Sequence, residues 1–260
     1  MSTSLSPATN YDKAAPHYEQ GRPEYPETAI RTLLTGVEYS PEMQICDLAA
    51  GTGKLSKAIL AFHNNAHIVA IEPSEKMCQE FTRQLPDITI KQASATAIPL
   101  PDASVDILLV GTAFHWFCNE QALHEISRVL KPGGKLGLIW NIFDTRVPWV
   151  KEIRKLIQNY HSKTTVPSHD SAKWQKVFDT TNKSFSGLHH VTMTYTYQGS
   201  LQNITNRILS HGKVSNMADD KREELLQKVQ RIAQQQLDAH NNITIPYRVE
   251  IYWTKKLDNL

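Results

Sequence analysis

Cysteine is scarce in this chain. Cys46, Cys78 and Cys118 are the only three in 260 residues, and they stand far apart without paired spacing. That excludes a disulfide-stapled fold and fits a reducing compartment; no metal site is expected. Long apolar runs are missing too, since none approaches the roughly 18 residues that a membrane span requires. The first ten residues, MSTSLSPATN, lack the basic cluster and apolar stretch of a secretion signal. A soluble, cytoplasmic protein with no membrane partner is the expectation. A dominant charge is also lacking: 28 basic residues against 26 acidic ones give a net charge of +2, with no basic block. Nucleic acid is therefore not an expected partner, because phosphate contacts need clustered cations. Internal repeats and low-complexity tracts are absent, and the length suits one α/β domain with a cap.

What is present is alternation. Apolar runs at 43–49, 67–71, 88–92, 105–110 and 135–140 predict strands, and helical periods follow Gly53, Ser74 and Asn119. Ser74 and Asn119 are placed to cap their helices, with KPGG ending the second of them before the strand at 135. Strands and helices in turn predict a mostly parallel sheet with helices on both faces. HHVTMTYTYQ and YRVEIYW alternate at period two and predict two last strands, for seven in all. The segments between are helical, and Leu225, Leu226, Val229, Ile232 and Leu237 form a stripe expected to pack inward. TTVPSHDS, residues 164–171, reads as a mobile piece of the cap. The expected layout is one domain over 1–260: an N-terminal lid and helices at 1–40, a cofactor-binding core at 41–143, and cap helices with the last strands at 144–260.

The run DLAAGTGKLS carries most of the chemistry. Asp47 ends a buried strand and leads into a glycine turn and a helix, the arrangement of a nucleotide-cofactor pocket. Gly51 and Gly53 permit the tight turn, and free N–H groups at the helix start suit a carboxylate or phosphate. A Walker-type phosphate loop is excluded, because Leu48 and Leu55 occupy the positions that need glycine and a hydroxyl residue. A dinucleotide fingerprint lacks its third glycine, where Ser56 stands, which leaves a nicotinamide cofactor open. Glu72 ends the next apolar run, where an acid can accept hydrogen bonds from both ribose hydroxyls. For both acids the alternative is a turn-capping carboxylate, and Lys54 is expected to point to solvent.

The later segments QASATAIPLPDASVDILLVGTAFHWF and ALHEISRVLKPGGKLGLIWN, with YDKAAPHYEQGRPEYP before them and IPYRVEIYW after, resemble the type 11 class I methyltransferases, which use S-adenosylmethionine. The chain looks most similar to their trans-aconitate methyltransferase-like small-molecule branch. The resemblance implies a Rossmann-like α/β fold with a mostly parallel seven-stranded sheet and a helical cap, and S-adenosyl-L-methionine as cofactor without a metal. It also implies roles. Asp47 holds the methionine amino group, Ala49, Gly51 and Gly53 form the wall beside it, and Glu72 with Pro73 takes the ribose. Many relatives have an aspartate at Ser94, so adenine recognition rests on the Ser94 hydroxyl or on backbone near Ala95. Tyr18 and Arg22, in an aromatic- and proline-rich segment placed to act as a lid, approach the methionine end or the acceptor.

Methyl transfer from a sulfonium needs no protonation of the leaving group, so positioning carries most of the catalysis. His115 is the candidate base for an acceptor that arrives protonated; lining the pocket is its alternative. Trp116 is either a pocket wall or core, and Asn141 falls at a strand end on the same rim. Arg22 is either a bidentate carboxylate clamp or a surface residue, and Arg146 is a second cation. The NPPY-type signature of amino-group methyltransferases is absent, AFHW taking its place, which favours oxygen or carbon acceptors. The expected function is methylation of a small organic acceptor at a carboxylate or hydroxyl oxygen. The rivals are a non-catalytic cofactor-binding accessory protein, an RNA or protein methyltransferase, and a nicotinamide-dependent reductase. The last lacks a Tyr-x-x-x-Lys pair. Oligomeric state is not legible.

Overall fold

Seven strands run through the chain: β1 Gln44–Leu48, β2 His67–Glu72, β3 Thr89–Gln92, β4 Val105–Gly111, β5 Leu130–Phe143, β6 His189–Gly199 and β7 Ile243–Lys255. They form one sheet in the order β3-β2-β1-β4-β5-β7-β6 in this computed structural model, which describes residues 14–38, 40, 42–160, 169–171, 173–180 and 184–258. Residues 11–13 of the expected lid and 164–168 of the expected mobile segment lie outside the described residues. β1 pairs in parallel with β2 and β4, β2 with β3, and β4 with β5. β7 runs antiparallel to β5: Gly133 N–H donates to the Lys256 carbonyl and Asp144 N–H to that of Pro246, so one strand rises as the other falls. The sheet is therefore mostly parallel, as the alternation predicts.

Contacts divide the chain into two compact units. One comprises Glu24–Asn141, Thr165–Met193 and Val249–Leu260. Its central strands are apolar on both faces: Ile45, Cys46, Ala70, Ile71, Leu108 and Leu109 are fully buried, as parallel strands between helices must be. Ser74 Oγ accepts from Met77 N–H, and Asn119 Oδ1 from Ala122 N–H, so both expected N-caps are made. The helix Glu120–Val129 buries Ala122, Leu123, Ile126 and Val129. It passes directly into β5 at Leu130, five residues before the predicted strand start. Leu130 pairs with Val105 and Lys135 with Ile107, a register shift that absorbs the KPGG residues within the strand.

The other unit comprises Met1–Pro23, Ile142–Thr164 and Thr194–Arg248. The helices Pro148–Asn159, Leu201–Leu209 and Asp219–Gln234 close on Ile153, Ile204, Ile208, Leu225, Val229 and Tyr247. The predicted stripe packs inward; Leu237 lies past the helix end yet joins the same core. A short helix, Ala15–Gly21, lies against Leu201–Leu209. A Cβ at Gly21 would collide with the Asn206 backbone, and the Asn206 side chain bonds both His17 and Gln20. The segment carrying Tyr18 and Arg22 is thus bonded into this unit's helices.

Candidate cofactor and acceptor site

Asp47 is fully buried on β1. Its Oδ2 accepts from the Ser56 backbone N–H at 3.1 Å and from the Ser56 hydroxyl at 2.7 Å. Ser56 lies in the first turn of the helix Lys54–Phe62, where backbone N–H groups have no partner within the helix. The free donors anticipated at that helix start are met in part by the chain's own carboxylate. Asp47 Oδ1, by contrast, is buried with no hydrogen-bond partner. Burial pushes the Asp47 carboxyl up to about 7, against the lowering effect of the two Ser56 bonds, and Glu72 adds a smaller upward push.

Glu72, at the end of β2, is anchored through both oxygens: Gly51 N–H donates to Oε2 at 3.0 Å and Ser74 N–H to Oε1 at 2.9 Å. The glycine turn is thereby tied to the second strand. Ala49, Gly51 and Gly53 all have positive φ, at 59°, 58° and 93°. The two glycines differ in surroundings. A Cβ at Gly53 would lie 2.8 Å from Leu85 Cδ1 and 3.0 Å from the Phe81 ring, whereas one at Gly51 would meet nothing within 4 Å. Gly53 serves helix packing, and Gly51 leaves open space beside Glu72.

Ala93 N–H donates to the Glu72 carbonyl, bringing the 93–95 segment next to β2, and Gln92 Nε2 donates to the Pro73 carbonyl. Ala95 is buried; Ser94 is exposed and shares a hydrogen bond with the Thr96 hydroxyl. After β4 the backbone turns at Thr112, φ 57°, into a short 3-10 turn, Phe114–Trp116. Trp140 Nε1–H donates to His115 Nδ1 at 3.2 Å. Trp140 packs on Trp174 and Tyr252, and Phe114 is wholly buried against Trp174 and Phe117. Trp116 is half-buried, with its ring 5.4 Å from that of His115. Asn141 is buried: its N–H reaches the Thr112 hydroxyl, its Nδ2 donates to the Glu24 carbonyl, and Tyr25 shares a hydrogen bond with that same Thr112 hydroxyl.

One expectation is corrected. Lys54 does not point to solvent; its side chain is buried and its Nζ pairs with Glu24 at 3.0 Å, which braces the helix that carries Ser56. Arg146 is engaged by Asp144 through several short contacts, the closest 2.6 Å, and holds that carboxyl below its usual range. Tyr18 and Arg22 belong to the other unit, where the Arg22 guanidinium stacks on the Tyr18 ring at 4.4 Å. Sequence reasoning missed Ser56, Trp140 and Trp174. Ser56 stands where the fingerprint's third glycine would, yet a hydroxyl in the first turn of the helix that follows a buried acid is itself a signal that it binds that acid.

Residues 46–138 match the methyltransferase domain family. An uncharacterised methyltransferase-like protein of Schizosaccharomyces pombe is 34% identical over 217 residues, covering 83% of this chain and 82% of that one. This chain is a class I S-adenosylmethionine-dependent methyltransferase of the type 11 family. An uncharacterised methyltransferase of Mycobacterium tuberculosis is 39% identical over 148 residues, 57% of this chain and 58% of that one. A solved structure described as a putative type II methyltransferase from Anaeromyxobacter dehalogenans shares the methyltransferase fold, with a TM-score of 0.59 at 17% identity over 92% of this chain and 99% of that one. Among the described residues no helix is long and apolar enough to cross a membrane, and no cluster of His, Cys, Asp or Glu is arranged to hold a metal.

Proposed function

We propose that this methyltransferase binds S-adenosylmethionine through Asp47 and Glu72 and methylates a carboxylate or hydroxyl oxygen of a small organic acceptor, without a metal, in the cytoplasm. The observation that carries the cofactor assignment is the buried, unpartnered Asp47 Oδ1. An acceptor-only oxygen held in place by Ser56 suits an ammonium donor, and the methionine end of the cofactor supplies one. Glu72 is an acceptor-only carboxylate fixed in place by the Gly51 and Ser74 N–H groups, a group suited to ribose hydroxyls. Ala49, Gly51 and Gly53 shape the wall, with open space at Gly51. Pro73 borders the ribose, and the adenine falls to the Ser94 hydroxyl or to backbone near Ala95.

When bound, the cofactor supplies a sulfonium methyl that passes to the acceptor oxygen while sulfur keeps the bonding electron pair; a carboxylate arrives ionised, and a hydroxyl acceptor gives up its proton to water. The protein's task is alignment, worth about 7–11 kcal/mol when reacting groups are held in line. We read His115 as a positioning donor rather than as a base. Trp140 can only donate, so its bond to Nδ1 places the proton of the neutral ring on Nε2. Trp116 and Asn141 complete the proposed acceptor contacts of this unit.

The test is a turnover assay for S-adenosylhomocysteine with a panel of small carboxylic acids and alcohols. Product with an acid or an alcohol supports the reading. Tight cofactor binding without turnover on any member of the panel would favour a non-catalytic accessory protein, and turnover only on RNA or protein would move the acceptor to another class.

A further inference from the structure

Among the described residues Arg207 is a charge buried without an acidic partner. It lies on the helix Leu201–Leu209 and is 4% exposed. Its Nη1 reaches the Ser210 hydroxyl at 3.5 Å and His211 Nε2 at 3.0 Å, and it bonds the Tyr247 phenol. Its Nε is buried with no hydrogen-bond partner. The groups that act on it are Arg22, Tyr247 and Tyr18, with no carboxylate among them, and burial followed by the Arg22 charge brings it down to about 10. Retaining a guanidinium in such a place is costly unless an anion compensates it.

Arg22 converges on the same point. Its Nε donates to Ser210 Oγ at 3.3 Å, so two guanidinium groups share one hydroxyl, which itself donates to the Arg207 carbonyl at 2.7 Å. Aromatic faces back both cations: Tyr18 lies 4.4 Å from Arg22 and Phe143 5.0 Å from Arg207. Ser210, fully buried, is saturated by these bonds and supplies no negative charge. The arrangement concentrates two like charges where packing alone would separate them.

We propose that Arg22 and Arg207, with Tyr247, form an oxyanion site that holds a carboxylate of a small organic acid. The site goes beyond the reading above and stands on this unit's own residues. A guanidinium presents donors in a fixed fork that matches a carboxylate, and Arg207 is the buried member that sequence alone did not single out.

Titration calorimetry of the full chain with sodium malonate tests it, using sodium chloride at matched ionic strength and inorganic phosphate as comparators, and S-adenosylhomocysteine in a separate titration. Saturable malonate binding is expected, weakened at least about tenfold in Arg22→Gln and in Arg207→Gln, since a charge-assisted hydrogen bond contributes about that much. Should Arg207→Gln fail to fold, Arg22→Gln and Tyr247→Phe carry the test. Malonate no better than chloride, or malonate binding unchanged in folded Arg22→Gln, overturns the site. Phosphate bound far more tightly than malonate overturns its assignment to a carboxylate. S-adenosylhomocysteine binding without malonate binding rejects this site while leaving the cofactor reading intact; malonate binding without S-adenosylhomocysteine rejects the cofactor reading instead.

Discussion

Ser56 holds one oxygen of Asp47 through both its N–H and its hydroxyl, and leaves the other oxygen of that carboxylate buried with no partner. A hydrogen bond to a charged group contributes about 1.5–3 kcal/mol. Ser56→Ala removes the shorter of the two bonds and lets the carboxyl turn, so S-adenosylhomocysteine affinity is expected to fall about tenfold or more by the same measure. Calorimetry at pH 7.5 reads this directly; unchanged affinity would mean that Asp47 does not touch the ligand.

The same carboxyl sets a pH dependence. Its folded value, pushed up to about 7 from 3.8, means that the folded protein holds this proton longer than the unfolded chain does. Its contribution to the stability of the ligand-free protein therefore declines as pH rises from about 4 to about 7 and levels off above that. Asp47→Asn should flatten this part of the curve in denaturant titrations. Cofactor binding, which needs the ionised form, should strengthen by up to about tenfold per pH unit below pH 7 and then level.

Gly51 and Gly53 should respond to alanine in different currencies. Gly53→Ala forces a methyl against Leu85 and Phe81 at a positive φ, with an expected loss of about 1–3 kcal/mol in unfolding free energy. Gly51→Ala meets no neighbour, so beyond backbone strain of about 1 kcal/mol its effect should fall on cofactor affinity. Denaturant melts paired with calorimetry separate the two; equal effects on both readouts would contradict the division.

If His115 donates from Nε2, His115→Gln should keep most of kcat and His115→Ala should act mainly on KM. A general base would instead lose about a hundredfold or more in kcat in either variant. Nitrogen-15 spectra of the imidazole at pH 8 should show the Nε2–H tautomer, and Trp140→Phe should release that preference.

The sheet was legible because buried parallel strands write themselves as short apolar runs, and the caps at Ser74 and Asn119 because a side-chain oxygen there has one obvious donor to satisfy. Asp47 and Glu72 were legible by their place at strand ends. Ser56, Lys54 and Trp140 were not. Each acts through a partner far along the chain or on the other side of a turn: Asp47, Glu24 and His115 respectively. Arg207 was hidden for a different reason. A lone arginine on an amphipathic helix looks solvent-facing until the fold sets it beside Tyr247 and Arg22. The start of β5 was misjudged because a Pro-Gly-Gly run signals a turn, and here a register shift carries it inside a strand.

The most direct measurement is thermal unfolding of the wild-type chain, Asp47→Asn and Glu72→Ala with S-adenosylmethionine, S-adenosylhomocysteine and NADH in turn. A ligand at about 100 times its dissociation constant adds about 2.7 kcal/mol, a readable shift. Stabilisation of the wild type by both adenosyl ligands, lost in both variants and not produced by NADH, is the predicted result; a shift that survives in both variants, or one given by NADH alone, would contradict the assignment of Asp47 and Glu72 to the cofactor.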